Sequence, residues 1–117
     1  MQNPKPIYDL EERTYFFAKR ARDYVKKLPR TITNIEYGRQ LARSSGSQAA
    51  NYIEANESLG KKDFLMRIKI CRKESKESRL WLKLSEPMQE QEEEKEYLIE
   101  ECLQLMKIFG SILEKSK

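Results

Sequence analysis

The sequence contains no histidine, and that one absence removes the commonest general base and the commonest transition-metal ligand together. Cysteine is nearly as scarce. Cys71 and Cys102 are the only two, too few for a disulfide framework and in keeping with a reducing compartment. Four glycines and four prolines in 117 residues are fewer turn formers than a β-sandwich would want. No apolar run approaches the roughly 18 residues of a membrane span. The opening "MQNPKPIYDL" lacks the basic-then-apolar order of a secretory signal. A cytoplasmic protein without membrane contact is therefore expected.

The missing residue types also narrow the chemistry. Dinucleotide-binding glycine patterns and P-loops are absent. The Glu-x-x-His pairs of a di-iron bundle are excluded with histidine. Cys71 and Cys102 fall on helical stripe positions with no histidine to activate them, which reads as two buried structural thiols. Glu74 and Glu77 stand three residues apart on a charged helix and name no reaction. No enzyme activity, cofactor or metal site is expected.

What the chain does have is charge. Asp, Glu, Lys and Arg make up 36% of it and hydrophobic residues 38%, a makeup suited to long, well-solvated helices. The charge is unevenly placed. Residues 1–85 hold 19 Lys/Arg against 10 Asp/Glu, and residues 86–117 hold 4 against 9, giving balances of +9 and −5 that recover the net +4. A basic body with an acidic last segment suits an anionic partner or head-to-tail packing between subunits.

Periodicity predicts an all-α, antiparallel up-down-up-down four-helix bundle in a single domain over 1–117, with helices at about 9–28, 34–58, 61–84 and 89–115. The first is expected to open at Asp9 with Glu12 completing a capping box. Its stripe is Leu10, Thr14, Phe17, Ala21, Tyr24 and Leu28, and Pro29 breaks it. The second is expected to open at Thr33, with Glu36 in the capping-box position. Leu41, Ser45, Ala49, Tyr52 and Asn56 line its inner side, and Gly60 takes a left-handed terminus. The third carries Phe64, Ile68, Cys71, Ser75, Ser78 and Leu82, up to the break at Pro87. The fourth starts near Gln89, with glutamates that favour the helix dipole, and carries Leu98, Cys102, Leu105, Phe109 and Ile112. Steps averaging about 3.5 residues imply nearly aligned, coiled-coil-like packing.

The second helix is small where a core should be fullest: "LARSSGSQAANYIEA", Leu41 to Ala55. A glycine inside a helix costs roughly 1 kcal/mol relative to alanine, so Gly46 implies a close approach. Two partners remain open: large residues of the same chain, such as Phe17, Tyr24 or Trp81, or another subunit. Asn51 and Glu54 are expected to hydrogen-bond polar groups of the third helix, with Glu74 one turn off its apolar stripe, fixing register. The competing expectation is a solvated Glu54. Tyr15 and Phe16 lie beside the first stripe and widen it, either as a subunit contact or as a broader core contact.

On the third helix, Lys62, Lys69, Lys76 and Lys83 recur every seven residues, with Arg72, Lys73 and Arg79 beside them. Lys19, Arg20, Lys26, Lys27 and Arg30 form a second cluster on the first helix. Such a row can lie along a phosphate backbone, with Lys62, Lys69, Arg72, Lys76 and Lys83 as the contacts. It can equally be a solvated face balanced by glutamates of the fourth helix. No aromatic base-stacking module accompanies it, so binding would depend on charge and shape.

The stretch "SGSQAANYIEANESLGKKDFLMRIKICRKESKESRLWLKL", Ser45 to Leu84, resembles the signature region of the bacterial 23S rRNA-intervening-sequence proteins, the S23-like family. The family's middle is a small-residue run, then N-x-x-E-A/G, a basic turn with K-D-F, and K-I-x-x-x-E-x-x-E-x-x-x-W. The matching residues are Asn51 with Glu54-Ala55, Lys62-Asp63-Phe64, and Lys69-Ile70, Glu74, Glu77 and Trp81. "YDLEERTYFFAKRARDYVKKLP" resembles the family's first helix, so the similarity spans about residues 8–113. The resemblance implies a bundle assembled as a homopentamer. Some members are encoded inside insertions in 23S rRNA genes. A related branch, the accessory variability proteins of diversity-generating retroelements, is basic and binds nucleic acid and a reverse transcriptase. Five copies of a modest basic patch would make a multivalent surface. The function expected is a non-catalytic, homo-oligomeric accessory protein associated with RNA or DNA. The rival is a purely structural or protein-interaction module without nucleic-acid binding, in which basic faces meet acidic protein surfaces such as the fourth helix of a neighbour. A protein partner such as a reverse transcriptase is what the resemblance implies.

Overall fold

The computed structural model describes residues 9–117. The segment read for a secretory pattern, residues 1–8, lies outside the described residues. Four helices follow one another: α1 (Leu10–Lys26), α2 (Ile32–Asn56), α3 (Lys61–Leu84) and α4 (Glu92–Lys115), the last preceded by a single 3₁₀ turn at Gln89–Gln91. No strand occurs among the described residues. The helices form an antiparallel four-helix bundle in which each packs on its sequence neighbour and α4 returns against α1.

Helix starts follow local capping chemistry, with two departures from expectation. Asp9 caps α1, but its carboxylate accepts the amide of Glu11 at 2.9 Å, while Glu12 is exposed. Either early amide relieves an orphan donor equally well. The cap of α2 is Thr31, not Thr33. Thr31 is extended and its hydroxyl accepts the Asn34 amide at 3.1 Å. Glu36 is instead free to bind Arg39 and Gln40 on the outer face, at 3.1 and 2.9 Å.

Gly60 corrects another expectation. It is the N-cap of α3, with φ −151° and ψ 165°, extended backbone that any residue adopts. α2 has already ended at Asn56, with Glu57 as its cap, so the chain crosses between helices without a left-handed residue; no glycine among the described residues has positive φ.

The core is made by the expected stripes of α1, α3 and α4. Phe17, Ala21, Tyr24, Ile68, Cys71, Leu82, Leu98, Cys102, Leu105 and Phe109 are all buried. α2 is rotated from the expected stripe. Asn34, Gly38, Leu41, Ser44, Ser45, Gln48 and Ala55 face inward, Ala49 and Tyr52 are half-buried and Asn56 is exposed. Polar side chains line this rotated face and bond locally and across the seam, although Gln48 Oε1 is buried without a partner among the described residues. The Ser44 and Ser78 hydroxyls meet at 2.7 Å. Gln48 donates to the Thr14 carbonyl at 2.9 Å and the Ser45 carbonyl at 3.1 Å.

The small-residue run is thus divided. Ser44 lies in the α2–α3 seam and Ser45 is buried beside it, while Ala42, Gly46 and Ala50 face outward. The inner serine meets a serine, not an aromatic ring. Trp81 stacks on Tyr37 instead, at 6.0 Å between centroids.

Two inter-helix loops meet at one end of the bundle, held by one buried amide. Asn34 donates to the Pro29 carbonyl at 3.0 Å and the Glu86 carbonyl at 2.9 Å, and accepts the Glu86 amide at 2.9 Å. Ser85 is buried beside it. Its hydroxyl donates to the Leu82 carbonyl at 2.7 Å and therefore receives the Tyr24 phenol proton, at 2.6 Å. Lys95 donates to the Ser85 carbonyl at 2.9 Å. Together these bonds satisfy the loop's backbone groups, which burial without partners would make costly.

Candidate nucleic-acid interface

The α3 cations inherit their placement from the burial of the opposite face. With Ile68, Cys71, Ser75, Ser78 and Leu82 inside, Lys62, Lys69, Arg72, Lys76 and Lys83 are all exposed. At about 1.5 Å of rise per residue, the seven-residue spacing sets successive lysines roughly 10 Å apart along the helix. Among the described residues none of the five lies within ion-pair distance of a carboxylate. The ion pairs that α3 makes use Arg43 with Glu74 and Glu77, at 3.4 and 3.5 Å, and Arg67 with Asp63 at 3.9 Å. Arg72 leans toward α4, where a Cβ added at Gly110 would sit 3.6 Å from its Nε.

The acidic helix spends its best-placed carboxylates on α1 instead. Glu101 holds Arg13 through two bonds of 2.8 and 2.9 Å. Glu94 holds Arg20 at 2.6 and 2.9 Å, and that guanidinium also lies 3.7 Å from the centre of the Tyr97 ring. These hydrogen bonds raise both guanidinium pKa values further above their ordinary range. Arg20 is therefore occupied, whereas Lys19, Lys26, Lys27 and Arg30 of the same cluster are exposed.

Of the two α2 residues expected to bond polar groups of α3, Asn51 does so and Glu54 does not. Asn51 accepts from Arg67 at 3.0 Å and donates to the Ser47 carbonyl at 2.9 Å. Glu54 is exposed and bonds nothing on α3. Glu74 is buried at 5% exposure and meets Arg43. Arg43, Asn34 and the Arg13–Glu101 pair were not singled out, since their partners stand 31 to 88 positions away and no spacing relates them. Tyr15 and Phe16 remain 54% and 39% exposed, in edge contact with each other at 5.3 Å.

Cys71 and Cys102 are fully buried on α3 and α4. The Cys71 thiol donates to the Gln48 carbonyl at 3.4 Å. Desolvation pushes the Cys71 thiol up to about 12, and raises that of Cys102 as well. Folding thus holds both protonated in a range where an unfolded thiol, near pKa ~8.5, has ionised. Their contribution to stability is complete below about pH 8.5 and is lost as pH climbs toward about 12. The folded protein is expected to resist a thiol-reactive disulfide reagent at neutral pH and to release both thiols only in denaturant. Its melting temperature is expected to fall steadily above about pH 9. Rapid labelling of the native protein would contradict this packing.

Among the described residues no group of three His, Cys, Asp or Glu side chains could hold a metal ion, and no helix is long and apolar enough to cross a membrane. Fold and surface together define a helical-bundle protein with a row of exposed cations on its third helix that have no ion-pair partner among the described residues. The chain belongs to the family of 23S rRNA-intervening sequence proteins, whose model matches residues 9–111. It is similar to a protein of unknown function from the S23 ribosomal protein family of Bacteroides thetaiotaomicron, solved by crystallography, at 25% identity and a TM-score of 0.72. That match covers 89% of this chain and 97% of the other. No curated protein matches it.

Proposed function

We propose that the chain works in the cytoplasm as a non-catalytic, homo-oligomeric accessory protein that holds nucleic acid through the basic outer face of α3. The observation that carries this reading is the set of five exposed α3 cations without a carboxylate partner among the described residues. An unpaired row of this kind retains its full attraction for a phosphate backbone, since no internal ion pair has to break first. The family description names 23S rRNA, which makes that RNA the first ligand to test.

Self-association is supported by what faces outward. Tyr15 and Phe16 expose apolar area. On α2, a Cβ added at Gly46 would meet nothing within 4 Å, so no contact among the described residues requires glycine there. Its helix cost of roughly 1 kcal/mol is offset if a second copy packs closely against Ala42, Gly46 and Ala50. The ring of five implied by the family resemblance would then repeat the basic face and multiply weak contacts.

A salt titration tests the binding. Neutralising five phosphates per protomer predicts a log–log slope of roughly −3.5 for single strands and −4.5 for duplex. A protein that retains no RNA or DNA at low salt refutes the reading in favour of a protein-interaction module. Light-scattering mass measurement tests the assembly. Gly46→Leu is expected to dissociate it while leaving helix content intact, and an unchanged mass would remove α2 from the interface.

A further inference from the structure

Within the cation row, the α3–α4 seam opens into a groove of about 480 Å³. Lys73, Lys76, Arg79 and Lys83 bring charge to its walls, and Leu80 of α3 with Met106 of α4 brings apolar surface. The volume lies in the range of sites that take a small organic group, roughly 300–1,000 Å³. Leu80 is 46% exposed, standing among lysines where a purely solvated face would need none. Glu77 also lines the groove, and its carboxylate lies 3.5 Å from Arg43 Nη2, a guanidinium it shares with Glu74, so its charge is offset only in part and is outnumbered by the four cations. A second observation comes from Arg79: its Nε is buried and has no hydrogen-bond partner among the described residues, a donor whose desolvation none of them offsets.

We propose that this groove seats an unstacked nucleobase, so that the nucleic acid held by α3 is single-stranded. The inference rests on the nucleic-acid function above and sharpens it. A duplex offers its exterior of phosphate and sugar while its base faces are stacked on each other. It would satisfy the lysines and leave Leu80 and Met106 against charged backbone. A single strand offers both surfaces at once: phosphates for the cations and a flat apolar face for the leucine and the thioether, which makes favourable contacts with rings. The guanidinium of Arg79 adds a planar group on which bases pack well.

The spacing fits this division. Lys73 and Lys76 precede Leu80 and Lys83 follows it, at about 10, 6 and 4.5 Å of helix rise. A base seated on Leu80 therefore has cations on both sides for its flanking phosphates. Packing on a base face tolerates any sequence, because every base has one. The groove thus supplies in aliphatic form the base-packing surface that no aromatic residue on this face provides.

Fluorescence anisotropy on the full chain decides the matter, with three labelled ligands of equal phosphate count: a polyuridine strand of about 16 nucleotides, an abasic strand and an RNA duplex. The base-bearing strand is expected to bind about tenfold more tightly than either of the others. Leu80→Ser should abolish that advantage and leave duplex and abasic binding within about twofold, and Leu80→Phe should restore or exceed it. Equal binding of all three ligands overturns the proposal, as does an equal loss for all three in Leu80→Ser. Displacement of the strand by polyglutamate of matching charge overturns it too, in favour of an acidic protein. Failure of every nucleic acid to bind removes the underlying function instead, and the groove assignment with it. Leu80 is half out of the core, so an unchanged circular-dichroism melt for both variants confirms that the fold is retained.

Discussion

A chain carrying Lys69→Glu and Lys76→Glu is expected to bind RNA or DNA about a hundredfold more weakly than the parent at low salt. A charge-assisted contact contributes about 1.5 kcal/mol, close to tenfold in affinity. The two lysines stand roughly 10 Å apart on α3, far enough for their effects to add. The salt slope should also become shallower by about two, one for each lost phosphate contact. Both side chains are exposed and free of ion pairs among the described residues, so stability should change by no more than about 0.5 kcal/mol. The comparison that gives this result its meaning is Lys19→Glu with Lys27→Glu on α1. If reversal on α1 weakens binding and reversal on α3 does not, the interface belongs to the first helix.

The largest loss of stability is expected at Phe109. It is fully buried on α4 and faces the Tyr52 ring at 6.2 Å between centroids. Phe109→Ala removes a ring from a fully buried site and is expected to cost about 3–5 kcal/mol. Against a total of about 5–15 kcal/mol for a domain of this class, that leaves little margin. A fall in melting temperature of roughly 15 °C should follow at fixed protein concentration. Phe109→Leu keeps most of the volume and should lose about 1 kcal/mol. A melt for Phe109→Ala within about 2 °C of the parent would show that the space collapses without cost, and that the core is not packed as described.

The two variants separate the jobs of the two faces of one bundle. Residues such as Phe109 hold the helices together and set which face of α3 is turned out. The α3 lysines are exposed and make no ion pair among the described residues, and an anionic partner would relieve their mutual repulsion.

The inner faces of α1, α3 and α4 were legible in the sequence, with helix ends within three residues of those found, because each encodes its inner face as apolar side chains at steps of three and four. That signal is local: a helix with such a stripe buries it whatever it packs against. α2 was misjudged by part of a turn for the same reason. Its inner face is written largely in Asn34, Ser44 and Gln48, residues that read as surface until a partner hydroxyl or carbonyl is placed opposite, and of the expected stripe only Leu41 and Ser45 are fully buried. Thr31 was passed over for Thr33 because the two threonines are equivalent as caps until the path after Pro29 is known.

The exterior divides along the same line. A charge row every seven residues, the lack of histidine and the two stripe cysteines follow from composition and periodicity, so the cations and the buried thiols were legible. The pairings were not. Arg43 with Glu74, Arg13 with Glu101, Asn34 with the α3–α4 loop, and the groove joining Leu80 to Met106 all depend on how one helix is rotated and slid against the next. A linear chain states which face of each helix avoids water. Only the assembled bundle decides what that face meets, since contact energies fall off within a few ångströms and side chains far apart in sequence have no influence on one another until the core brings them together.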